Sequence, residues 1–185
     1  MLRNPSNKAP ASERIATSIP PAELPIITFA GEGCVMGHWH GVMSSVWATR
    51  TTFELVAEIE KLLVAVSKSY PKISAVHLIT SSFSLPPADV RAKLGDLTQR
   101  YGDRLACSAT MLGGTGFWAS AIRGAVTGIQ VIDLRRRRQR VFADLEELAN
   151  WVAPKHNEAT GSTITPQELR HALAWMLERP SVRGT

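Results

Sequence analysis

Between residues 26 and 153 the chain alternates short β-branched runs with longer segments whose apolar residues recur every three or four positions. No other feature narrows the fold as much. Strand-like runs separated by helix-length segments favour parallel neighbours joined by right-handed crossovers. In the first helical segment Thr51 and Glu54 stand at capping-box spacing, and Leu55, Val56, Ile59, Leu62, Leu63 and Val66 form one stripe. Residues Ile73 to Thr80 (ISAVHLIT) have the β-branched character of a central strand. Pro86 and Pro87 suit a helix start, with Val90, Leu94, Leu97 and Tyr101 facing inward and Gly95 placed to permit close packing. Leu105 to Leu112 read as a strand, Gly113 to Gly116 as a turn, and Phe117 to about Ile129 as a third helix. Gln139 to Ala143 form the last strand, and Asp144 with Glu147 open a helix that turns Leu145, Leu148, Trp151 and Val152 inward.

Ahead of this block, residues 1–25 read as a flexible lead-in, with Pro20, Pro21 and Pro25 delaying regular structure. Ile26 to Phe29 and Cys34 to His40 read as an antiparallel pair about the Gly31–Gly33 turn. The stretch 41–50 fits either a strand or a packed loop. Behind the block, 154–164 reads as a polar linker. A last helix within 165–179 has Thr165 as cap, Pro166 in its first turn and Glu168 completing the box; Leu169, Ala172, Leu173 and Met176 form the face expected to dock on the same core. The expected organisation is one α/β domain over 26–153, followed by that linker and an accessory helix.

Composition agrees. A chain of 185 residues holds one substantial core and not two ordinary ones. Two cysteines, Cys34 and Cys107, are too few for a disulfide scaffold, so a reducing, cytoplasmic setting is expected. No run reaches the length of a membrane span, and Pro, Ser and Asn stand where a signal peptide needs apolar residues. The net charge of +5 is mild, and five of its arginines crowd into six positions, Arg135 to Arg138 and Arg140.

The motif GTGFWASAIRGAVTG at 114–128, then RVFAD at 140–144 and a helix carrying Trp151, resembles the SpoIIAA-like fold of STAS domains and anti-sigma-factor antagonists, in its stand-alone bacterial form. The resemblance covers roughly 26–153. It implies a mixed sheet of four to five strands covered by helices, here with an extra C-terminal helix. Antagonists of this type carry a phosphorylatable Ser or Thr beside an Asp at the start of the helix after the third strand. Ser82 and Ser84 hold the matching place, but the Asp and the following Gly-Leu are replaced by Leu85-Pro86-Pro87. The same serines also suit a plain turn between strand and helix.

Four groups of residues are candidates for chemistry. Cys34, His38 and His40, with Glu32, share one face of an extended strand, and Cys and His are good zinc ligands. Further ligands would come from His77 or Cys107. No HExxH or nucleophile-elbow pattern is present, so neither a metal, a cofactor nor catalysis is expected. Gly114 and Thr115, with Phe117, Trp118 and Arg123, form a glycine-rich turn into a helix that could hold an anion, but it lacks the Lys-Ser or Lys-Thr of a phosphate-binding loop. Arg135, Arg136, Arg137 and Arg138 could meet phosphate or an acidic peptide; nucleic acid would need a wider basic footprint. Trp39 and Trp47, with His38 and His40, flank a sheet edge that could take an added strand or a second copy of the chain. The expected function is therefore non-catalytic binding of a protein or peptide, an acidic one included, by a dimer. The alternative is a small-molecule or lipid-type ligand held between sheet and helices, and a Cys/His site ranks third.

Overall fold

The computed structural model describes residues 23–31, 33–80, 86–113 and 138–179. Six strands form one mixed sheet in chain order: β1 (Ile26–Gly31), β2 (Cys34–Trp39), β3 (Val42–Trp47), β4 (Ile73–Ile79), β5 (Leu105–Leu112) and β6 (Gln139–Phe142). The first three are antiparallel and the rest parallel. Helices α1 (Phe53–Ser69) and α2 (Ala88–Tyr101) cover one face. Helices α3 (Leu145–Thr160) and α4 (Pro166–Leu177) cover the other. The α/β class expected from the alternation is found, with six strands where four to five were expected.

The extra strand is β3, in the stretch that fitted either strand or loop. All six of its side chains are buried, because it lies between β2 and β4 with helices on both faces. A strand buried on both sides has no polar–apolar alternation to betray it. Its link to β2 is the two-residue loop His40–Gly41, at φ 47° and 81°, and a two-residue loop of type I′ needs positive φ at both positions. Gly41 is doubly required, since a Cβ there would lie 2.9 Å from the Tyr70 ring. Gly37 is required for another reason: a Cβ would strike the Ile26 carbonyl of β1.

Among the described residues the helix signals are met with small shifts, and the helix expected from Phe117 to about Ile129 lies outside them. All six residues of the α1 stripe are buried, and the cap is Thr52, whose hydroxyl accepts from the Leu55 amide at 3.4 Å. Asp144 accepts from the Glu147 amide at 2.8 Å, and Thr165 and Glu168 close a full capping box. Two expectations change. Helix α3 continues through Pro154 to Thr160 and ends on Gly161 at φ 74°, so the connection before α4 spans only 161–165. Pro154 and Asn150, whose carbonyl loses its partner, are both on the exposed side, where water can serve it. Gly95 does not mediate close packing, since nothing lies within 4 Å of where its Cβ would be.

Candidate functional site

Alternation along β3, β4 and β5 decides which side chains meet. Ser45, His77, Ser108 and Thr110 face the α1/α2 layer, with Ser45 opposite His77 and His77 opposite Thr110 in register. Between this part of the sheet and the two helices lies a cavity of about 260 Å³. Its apolar wall comes from Met43, Trp47, Ile59, Leu63, Leu94 and Leu97, and His77, Ser108 and Thr110 supply polar groups.

His77 is oriented by a relay. The Trp47 indole Nε1–H donates to Ser45 Oγ at 2.8 Å, and Ser45 Oγ lies 2.8 Å from His77 Nδ1. Ser45 is buried, and among the described residues its hydroxyl proton has an acceptor only in Nδ1. The proton on the neutral ring therefore sits on Nε2. Burial lowers the His77 pKa from its ordinary 6.5 to about 4, so the ring is neutral at pH 7. The cavity thus presents a fixed, uncharged N–H donor in an apolar setting, where a hydrogen bond is stronger than in water.

On the opposite face a second imidazole is fully enclosed. His156 of α3 has no exposure. Its Nδ1 is 3.0 Å from Ser74 Oγ, and its Nε2–H donates to the His40 carbonyl at 2.9 Å. The Cys107 thiol donates to Ser74 Oγ at 3.4 Å, so the serine proton goes to Nδ1. Burial lowers the pKa of His156, and the His40 carbonyl opposes that shift.

The residues singled out in the sequence are distributed differently from expectation. Trp39 and Trp47 do not flank an open edge: they are 7% and 4% exposed, on opposite faces of the sheet, and the edge strand is β1. Trp39 donates to the Glu23 carbonyl at 2.9 Å, and Trp47 lines the cavity from within. His38 shares a face with Cys34 as alternation requires, is half-buried, and has its pKa lowered by burial. His40 sits in the turn, edge-on to Trp39 and 3.6 Å from Glu23 Oε2. The Cys/His set does not converge. Cys34 and His77 face α1 and α2 while Cys107 faces α3, and no three His, Cys, Asp or Glu side chains gather among the described residues. Burial pushes the Cys34 thiol up to about 12 and that of Cys107 in the same direction, which makes both poor nucleophiles. Ser82, Ser84, Gly114, Thr115, Phe117, Trp118, Arg123, Arg135, Arg136 and Arg137 lie outside the described residues, and Arg138 is exposed at the start of β6. No described helix is long and apolar enough to cross a membrane.

Sequence reasoning named His77 only as an accessory to a Cys/His metal or nucleophilic site, and it missed His156. Spacing could have found the latter, because Ala149, Val152, Ala153 and His156 continue one buried helical stripe.

No protein-family model matches the chain, and no curated protein matches it. Among solved structures it is similar to an uncharacterised protein of the DUF3478 family with a SpoIIAA-like fold, from Shewanella loihica PV-4. The two are 12% identical, the match covers 67% of this chain and 95% of that one, and the TM-score is 0.46.

Proposed function

We propose that the protein is a non-catalytic binding domain whose ligand is a compact, mostly apolar molecule with one hydrogen-bond acceptor, seated beside His77. The observation that carries this reading is the Trp47–Ser45–His77 relay aimed into an apolar cavity. At about 260 Å³ the cavity lies just below the ~300–1,000 Å³ usual for small-molecule sites, so the occupant is small. Binding is favoured over turnover because the Ser45 hydroxyl that engages the basic nitrogen of His77 is itself only 2% exposed and already accepts from Trp47, which keeps it from a ligand. The ring can donate to a ligand but cannot take a proton from it. The protein or peptide ligand expected from the sequence rests on two features: the edge bearing Trp39 and Trp47 is absent, because both indoles are turned inward, while Arg135 to Arg137 of the arginine run lie outside the described residues.

Ligand-observed NMR with an alkyl aryl ketone and the hydrocarbon of the same shape tests the proposal. The ketone is expected to bind better to the native protein. His77→Phe should erase that preference, and Ala75→Leu, which fills the cavity, should abolish both signals. Equal binding of ketone and hydrocarbon, or binding undiminished in Ala75→Leu, would refute it.

A further inference from the structure

We infer that a second site, for a phosphate group, lies in a recess on the α3 side of the sheet, framed by Lys72, Arg138 and Lys155. The recess has a volume of about 350 Å³, and Leu105, Ala106, Glu158 and Ala159 complete it. Leu105 also borders the His77 cavity, so the two share a lining residue. The floor exists because the β4–β5 ladder slips at its start: Ile73 pairs with Leu105, but Ser74 pairs with Cys107, leaving Ala106 as a bulge.

Three elements bring the cations together. Lys72 lies in the short connection before β4, Arg138 immediately precedes β6, and Lys155 is on α3. Lys72 Nζ donates to the Asp103 carbonyl and Arg138 Nη1 to the Leu105 carbonyl at 3.3 Å, while the Lys155 ammonium lies 5.1 Å over the Trp151 ring. These contacts aim the side chains without neutralising them, since a carbonyl is a dipole and not a counter-ion. The ion pairs among the described residues are His40–Glu23, Lys61–Glu58 and Arg100–Glu60, and none involves the three.

The charge identifies the ligand class. Among the described residues, three cations against the carboxylate of Glu158 leave the recess two positive charges in excess. A phosphate monoester carries about −1.5 to −2 near pH 7, on three acceptor oxygens. A lone carboxylate would leave one of those charges unmatched. Lys72 and Lys155 each have three N–H donors and Arg138 has five, enough for all three oxygens after the carbonyl bonds are made.

The test is calorimetric titration with inorganic phosphate and phenyl phosphate, beside co-sedimentation with phosphatidylcholine vesicles with and without phosphatidic acid. Lys72→Ala and Lys155→Ala should each weaken phosphate binding about tenfold, the scale of one charge-assisted bond. Glu158→Gln should tighten it, which a merely structural role for these residues would not produce. Titration by the soluble phosphates assigns a soluble ester; capture only by phosphatidic-acid vesicles, lost in Lys155→Ala, assigns a lipid headgroup. Neither soluble phosphate nor vesicle binding, or binding unmoved by all three substitutions, would overturn the inference.

Discussion

Each face of the sheet carries a histidine bonded to a serine, and the two pairs serve opposite ends. On the α1/α2 face Ser45 and His77 are 2.8 Å apart; on the α3/α4 face Ser74 and His156 are 3.0 Å apart. In both, a serine proton is given to Nδ1 and Nε2 keeps its own. The difference is what Nε2 meets: a cavity for His77, the His40 carbonyl for His156. Packing follows the same division. Ala149 and Ala153 let α3 approach closely over His156, whereas α1 and α2 leave a gap over His77. A buried imidazole–hydroxyl pair is thus a fastener where its last donor is satisfied within the fold, and on the function proposed above a recognition element where that donor is left facing a cavity.

Three experiments press on this contrast. The largest effect is expected from His156→Ala, which leaves the Ser74 hydroxyl and the His40 carbonyl without their partner in a closed space. The loss should be about 3–5 kcal/mol in urea denaturation, combining a cavity with unmet polar groups. His77→Ala, beside a cavity that water can enter, should cost only about 1–2 kcal/mol. Equal costs for the two would remove the distinction.

The next effect is acid sensitivity. Because burial holds the folded His77 pKa at about 4 against an ordinary 6.5, between these values the unfolded chain takes a proton that the folded one refuses. Stability is therefore full above about pH 6.5 and falls as the pH drops towards 4. Protonation of His77 should remove about 2–3 kcal/mol by then, allowing for screening through the cavity. His156 shifts in the same direction. Thermal melts from pH 7 to 4 should show a shallower decline in His77→Gln; an unchanged decline would mean that the ring is not held neutral by its surroundings.

The smallest effect compares two enlargements. Ala149→Leu, forced into the closed layer, should cost about 1–3 kcal/mol. Ala75→Leu, entering the cavity, should stay within about 1 kcal/mol of the native protein. Matched melting temperatures for the two variants would show the faces to be equally packed.

Much of the fold was legible from the sequence because it rests on one-sided burial. The α1 stripe, the Asp144 cap and the Thr165–Glu168 box each announce themselves by spacing, and each is found. Symmetric burial erases such signals. β3 lacked alternation because both of its faces are covered, and Trp39 and Trp47 read as edge residues because nothing local reveals that β3 lies between β2 and β4 or that helices cover both faces. Pro154 suggested a linker because local preference weighs against it, whereas the packing of Val152, Ala153 and His156 carries the helix onward. The candidate site was the least legible part. Ser45, Trp47 and His77 meet only through the parallel pairing of β3 with β4, and spacing along the chain carries no trace of that register.

The bond from His156 to the His40 carbonyl also bears on the order in which the native state assembles. It joins residues 116 positions apart, whereas the turn it grips closes over two residues. Closing a long span costs more chain entropy than closing a short one, so the turn is expected to form early and the bond late. Contacts made after the folding barrier act on escape from the native state more than on arrival. In denaturant-jump kinetics the loss in His156→Ala should accordingly register as faster unfolding, with the refolding rate nearly unchanged.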